Sequence, residues 1–136
     1  MEGVGEPMSI TYTIDQDRQI IYTEILGKIT LQDVHEHFRM LNEDHNIPAN
    51  LDVLLDLRGT KTIPTTQQIE LITEEIRRLQ PKIDWRFCAI VASEPALYGM
   101  GRVLGVFAEK LFSDIQVFYT YDEAIIWLES KVHSIV

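Results

Sequence analysis

Leu51-Asp52-Val53-Leu54-Leu55-Asp56-Leu57 decides the fold. Five of these seven residues are large and apolar, and they run almost continuously instead of alternating with polar ones. A strand covered on both faces reads this way, and such strands lie in parallel portions of sheets that carry helices. Arg86-Phe87-Cys88-Ala89-Ile90-Val91-Ala92 is a second run of the same kind. Two such strands, separated by a segment of helical periodicity, predict a βαβ unit and an α/β class.

Working outward, Ile10-Thr11-Tyr12-Thr13-Ile14 alternates apolar residues with Thr, as a half-buried strand does. Asp15-Gln16-Asp17-Arg18 is a polar turn, and Gln19 to Leu26 returns as a second strand closed by Gly27. Thr30 with Asp33 at N3 forms a capping box, followed by an apolar stripe of Leu31, Val34, Phe38 and Leu41. That helix ends near Asp44, ahead of the breakers Asn46, Pro48 and Asn50. Beyond the central strand comes a loop, Arg58 to Pro64. Thr65 then caps a second helix with Gln68 at N3, a stripe of Ile69, Ile72, Ile76 and Leu79, and Glu74 and Arg78 four apart on the wet face. Pro95 suits the first turn of a third helix running through Leu97 to Phe112. Ile115 to Thr120 is a last strand, and Thr120 with Glu123 caps a final helix that turns Ala124, Trp127 and Leu128 inward. The order is β-β-α-β-α-β-α-β-α. It predicts a mixed, mostly parallel five-stranded sheet packed with helices through right-handed crossovers. Residues 1–8 read as a disordered leader and 9–136 as one domain.

The chain has 136 residues, 46% hydrophobic and 24% charged, which suits one globular domain with its own core. No apolar run approaches the roughly 20 residues of a membrane span, and the N-terminus lacks the basic start and apolar stretch of a signal peptide. One cysteine excludes an internal disulfide. A net charge of -9 argues against nucleic acid, whose phosphates need Lys and Arg. A cytoplasmic protein is expected. The acid is unevenly spread: residues 1–50 hold nine acidic and three basic residues, whereas Arg58 to Arg86 holds four acidic and six basic.

No catalytic or metal set emerges. His35-Glu36-His37 lies on a helix, where positions i and i+2 point about 200° apart, and the fourth residue after His35 is Arg39, so His-Glu-x-x-His is not met. His45 falls near a helix C-terminus, where it suits the dipole. Gly99-Met100-Gly101-Arg102-Val103-Leu104 fails the dinucleotide fingerprint at its third glycine. Gly101, Gly105 and Ala108 share a helix face and predict close backbone packing instead. Cys88 sits mid-strand, where a buried thiol stays protonated. Asp52 and Asp56 share a sheet face about 13 Å apart, too far for a carboxylate pair. Asp56 lies near the C-terminal end of a parallel strand, where open α/β sheets place their sites, and there it is expected to accept hydrogen bonds from the 58–64 loop. Thr60, Thr62, Thr65 and Thr66 gather at the same end, with Thr65 as the N-cap.

The leading hairpin, LDVLLDLRGT with its Thr-led helix, AIVASEPALYGMGR and IQVFYTYDEAIIWLES together resemble the SpoIIAA-like branch of the STAS fold, the sulphate transporter and anti-sigma factor antagonist fold. The likeness runs from about Ile10 to the end, and none of these pieces is a catalytic signature. Anti-sigma antagonists place a phosphorylatable Ser after an Asp at the start of the helix behind the central strand. Here Pro64 and Thr65 hold those positions, and Gln67-Gln68 replaces the small-residue turn, so the kinase switch does not carry over intact. The fold also resembles CRAL-TRIO lipid-transfer domains, which implies an apolar-ligand pocket near the Gly-rich helix.

The resulting expectation is a non-enzymatic STAS-like module with no cofactor and no metal, working by binding a protein partner or a second copy of itself. The interaction or switch residues are Asp56, Arg58, Thr60, Thr62, Thr65 and Thr66. The alternative is a small apolar-ligand or lipid binder, with Tyr98, Met100, Gly101, Val103, Gly105 and Phe107 as pocket or interface. An enzyme built on Asp56 and the threonines is the third and weakest reading, because no base, nucleophile and orienting group occur together.

Overall fold

Alternation in the first strands and continuous apolar runs in the later ones produce a single sheet. A computed structural model describes residues 9–133, so the leader expected at residues 1–8 lies outside the described residues. The elements are β1 (Ile10–Asp15), β2 (Ile20–Gly27), α1 (Leu31–Glu43), β3 (Asn50–Thr60), α2 (Thr66–Arg78), β4 (Asp84–Val91), α3 (Pro95–Ala108), β5 (Asp114–Phe118) and α4 (Tyr121–His133). β1 pairs antiparallel with β2, from Ile10 opposite Ile25 to Asp15 opposite Ile20. The Arg18 amide donates to Asp15 Oδ1 in the turn, and Gln19 leaves it at φ 58°. All later pairs are parallel, and the strand order is β1-β2-β3-β4-β5.

That order fixes the layers. Each crossover from β2 to β5 steps the same way, and right-handed crossovers in one direction put their helices on one face. α1 contacts α2, and α2 contacts α3, as that rule requires. α4 follows the edge strand β5 and packs on the opposite face, against β3, β4 and β5. The larger core, between the sheet and α1–α3, includes Ile21, Val34, Leu41, Leu51, Ile69 and Ile90. The smaller one places Ala124 and Leu128 of α4 on Ile20, Leu54, Ala89 and Val91.

β3 is covered on both faces, as its apolar run requires, and its two carboxylates are buried with it. Asp52 has a structural task. The β3–β4 register slips between Leu51 opposite Trp85 and Val53 opposite Cys88, and Asp52 Oδ1 accepts the Phe87 amide freed by that bulge, at 3.1 Å. β3 also runs beyond the expected strand. Leu26 and Gly27 pair with Gly59 and Thr60 past a second register shift, so the loop begins at Lys61 and not at Arg58.

All three expected caps form: Thr30 with Asp33, Thr65 with Gln68, and Thr120 with Glu123. Other local expectations are corrected. Leu31 is 43% exposed, and His37 takes its place on the buried face of α1. Arg78 reaches Glu75 and Arg77 reaches Glu74, so the i, i+3 pairs displace the expected Glu74–Arg78 pair. α3 stops at Ala108, leaving Phe112 to pack beyond the helix against Trp85. The carbonyls at the end of α1 go to Lys82, whose Nζ donates to those of Leu41, Asn42 and Asp44, while His45 is exposed.

Candidate functional site

The C-terminal ends of β2 and β3 carry the residues singled out from sequence, and the sheet divides them. Leu54, Asp56 and Arg58 of β3 turn to the α4 side of the sheet. There Asp56 Oδ1 accepts from the Arg58 backbone amide at 3.0 Å and from Nε at 3.0 Å, while Oδ2 accepts from Nη2 at 2.9 Å. Of the amides expected to reach Asp56 from residues 58–64, only that of Arg58 does so, from within β3 itself, and its side chain adds two more bonds. The guanidinium carbon lies 5.0 Å from the centre of the Tyr121 ring, a cation–π contact at the start of α4. Burial would raise the Asp56 pKa, but the Arg58 side-chain and backbone bonds outweigh it and hold the carboxyl below its ordinary value. An open cleft of about 370 Å³ extends from this pair over the β1–β2 face that α4 leaves uncovered, lined by Thr11, Thr13, Tyr22, Glu24, Arg58 and Tyr121 among others. Tyr22 and Tyr121 both have raised pKa values, burial being the main cause. Sequence reasoning missed Tyr22, Glu24 and Tyr121. The period of two along β2 was the available signal, since it puts Tyr22 and Glu24 on one face.

The threonines lie elsewhere. Thr60 is buried, and its hydroxyl donates to the Ile25 carbonyl at 3.3 Å, which locks the end of β3 to β2. Thr62, Thr65 and Thr66 are exposed at the start of α2, on the helical side of the sheet. Thr65 Oγ1 accepts the Gln68 amide at 3.1 Å, and Gln68 Oε1 accepts the Thr65 amide at 2.9 Å. Gln68 Nε2 donates to the Ile29 carbonyl at 2.8 Å, and the Lys61 amide donates to the Gly27 carbonyl at 2.8 Å. These two bonds join the β2–α1 and β3–α2 connections into one surface. On it Leu26, Leu31 and Ile63 stay 41%, 43% and 52% exposed, with Lys28 and Lys61 exposed beside them. Apolar side chains and cations thus share the strand-end face of an acidic protein.

The residues of the Gly-rich helix do not gather around one pocket. A Cβ at Gly101 would stand 3.2 Å from both Ile90 Cγ2 and Val117 Cγ1, so this glycine lets α3 lie close on the sheet. Tyr98 and Gly105 line an open groove between α3 and β5, whereas Val103 and Phe107 are exposed on another side of the helix and Met100 packs at the edge of the core. The interior apolar cavity lies instead between the sheet and α1–α3. Its volume is about 80 Å³, and α3 contributes Leu104 and Ala108 to it. His37, Thr23 and Cys88 also line it. Burial lowers the His37 pKa to about 4, and burial, with the Asp52 charge, pushes Cys88 up to about 12. His35 points away from His37, exposed, with Nδ1 3.3 Å from Glu75. Among the described residues no three His, Cys, Asp or Glu side chains converge as metal ligands, and no helix is long and apolar enough to cross a membrane.

No family model and no curated protein matches the chain. Solved structures do. An uncharacterized protein of the DUF3478 family with a SpoIIAA-like fold, from Shewanella loihica PV-4, superposes with a TM-score of 0.61 at 16% identity, covering 93% of this chain and 99% of its own. The NMR structure of the protein TM1081 gives 0.54 at 15% identity, covering 95% and 94%. Similarity over nearly the full length of both partners, at identities this low, speaks for architecture. The mixed five-stranded sheet, with three helices on one face and a fourth on the other, is a SpoIIAA-like fold.

Proposed function

We propose that this chain is a non-enzymatic, STAS-like regulatory module of the cytoplasm that docks an acidic protein partner on its strand-end face. The observation that carries the reading is the pairing of exposed Leu26, Leu31 and Ile63 with Lys28 and Lys61 on a chain of net charge -9. Apolar anchors flanked by cations suit an acidic partner, because the charges steer and orient while the anchors bury area. The N-terminus of α2, with Thr65 and Thr66, adds the positive end of a helix dipole to the same face. Two features support a non-enzymatic role. Asp56 is ionised and held by Arg58, which makes it a poor proton acceptor, and the Cys88 thiol is buried and protonated. A photo-reactive residue at position 63, compared with one at the still more open position 126 on α4, tests the reading in cells. One discrete adduct at 63 that is lost on Lys61→Glu is expected. Equal labelling at 63 and 126, or labelling indifferent to Lys61→Glu, overturns it.

The interior cavity favours a second reading, a binder of small apolar guests. Pockets for drug-sized ligands span roughly 300–1,000 Å³, so about 80 Å³ suits a guest of a few heavy atoms, and a lipid chain would have to lift α1–α3 off the sheet. Native mass spectrometry of protein purified from cells distinguishes the readings: a bound apolar mass supports this one, and a clean apo mass that lipid does not shift removes it.

A further inference from the structure

α3 carries one charged residue in fourteen and is apolar around its whole circumference. A helix of that composition is ordinarily covered on every side. The fold buries only Leu97, Gly101, Leu104 and Ala108, and leaves Val106 64% exposed. Alongside runs β5, an edge strand with one side unpaired among the described residues. Between them lies an open groove of about 360 Å³, with Arg102, Gly105, Val106 and Glu109 along its helical wall. Arg102 and Glu109 are exposed, and neither has an ion-pair partner among the described residues.

We propose that a second copy of this chain docks here, α3 antiparallel to α3, about a two-fold axis passing between Gly105 and Val106. A closed dimer needs a patch complementary to itself, and this stripe is. In that register Val106 of each copy sits on Gly105 of the other, where the missing side chain leaves room. Arg102 of each copy then faces Glu109 of the other, so the two-fold forms the ion pair twice, with the charges seven residues or roughly 10 Å apart along each helix. Charge also fixes the register. With the axis at Val106, Arg102 would face Lys110, and with the axis at Gly105 it would face Ala108. Charges arranged this way set specificity and orientation, while Val106 packed on Gly105 and the covered β5 edge supply the buried area. The surface is distinct from the strand-end face, so the dimer stands or falls without the partner-docking reading.

Cysteine trapping in the full chain tests it. The native Cys88 is buried and does not compete. Val106→Cys, directly beside the axis, should form disulfide-linked dimers on mild oxidation, while Ile126→Cys, 66% exposed on α4 in the wild-type chain, should not. In the Val106→Cys background, Arg102→Glu and Glu109→Arg should each cut the dimer yield several-fold, and the double swap should restore it, because the pairs then form with signs exchanged. Both charged side chains are on the surface, so circular dichroism should be unchanged throughout. Trapping at position 126 as strong as at 106, no dimer at either, or a double swap no better than the single changes overturns the proposal.

Discussion

Arg58 folds back along its own strand and grips Asp56, two residues earlier, through two guanidinium bonds and its backbone amide. Residues i and i+2 of a strand share a face about 7 Å apart, and the length of the arginine closes that gap. Asp56 is buried while Arg58 is half exposed and spreads over Tyr121, so the pair anchors the start of α4 to the end of β3. Replacing Arg58 with Met should leave a buried carboxylate with one amide donor. The Asp56 carboxyl should then titrate above its present, depressed value, and stability at neutral pH should fall by about 1 kcal/mol, a modest figure because the guanidinium is half in water. Carboxyl titration by NMR and urea unfolding would measure both. An unmoved Asp56 titration would mean that the amide alone sets it.

Gln68 serves two connections at once. Its Oε1 accepts the Thr65 amide and its Nε2 donates to the buried Ile29 carbonyl. Gln68→Glu keeps the acceptor and loses the donor, since a carboxylate cannot donate. Its expected cost of about 1–2 kcal/mol comes from the stranded Ile29 carbonyl. Thr65→Ala should cost about 1 kcal/mol through the cap alone, and Thr65→Ser almost nothing. Thermal unfolding of the three variants should rank them Ser, then Ala, then Glu, from least to most damaging.

The glycines of α3 separate local propensity from packing. A Cβ at Gly99 would meet nothing within 4 Å, whereas a Cβ at Gly101 would press on Ile90 and Val117. Gly99→Ala should therefore stabilise by about 0.5–1 kcal/mol, the gain of alanine over glycine in a helix. Gly101→Ala makes the same gain but forces two β-branched core side chains apart, and overpacking costs about 1–3 kcal/mol. Opposite signs in parallel urea titrations are the expected result.

The strands, their order of direction and all three N-caps were legible, because each rests on short-range physics: apolar periodicity, or a Thr three residues before its acceptor. What was not legible depends on partners distant in sequence. Lys82 caps α1 from across the fold, about forty residues away, so His45 looked better placed than it is. Thr60 looked like part of a site because it sits among threonines, yet a register shift in β2 turns its hydroxyl onto the Ile25 carbonyl. The Asp56–Arg58 grip was half legible. Donors from residues 58–64 were expected for Asp56, but that Arg58 continues the strand, and so turns its guanidinium back along the same face, depended on how far β3 extends. Leu31 and His37 exchanged roles for a similar reason. Both fit the helical stripe within one turn, and only the packing of α1 on β1 decides that His37 goes inside.

That inward histidine makes the protein acid-sensitive. The His37 ring lies edge-on to Tyr12 and Phe38, with centroids 5.7 and 5.0 Å away, and burial lowers its pKa from 6.5 to about 4. Above pH 6.5 the residue is neutral folded or unfolded and imposes no penalty. Between pH 6.5 and 4 the unfolded chain takes up a proton that the native state refuses. The unfolded state then binds more protons, and stability rises with pH across that window and falls on acidification. The full penalty, reached near pH 4, is about 3 kcal/mol at 1.36 kcal/mol per pKa unit. His37→Phe keeps an aromatic ring between Tyr12 and Phe38 and removes the titration, so its urea midpoint should stay flatter from pH 6.5 down to 4, where the wild type declines. The carboxylates are the same in both proteins and contribute the same acid loss to each, so the difference between the two curves isolates His37. Parallel slopes for the two proteins between pH 6.5 and 4 would show that His37 is protonated as readily in the native state as in the unfolded one.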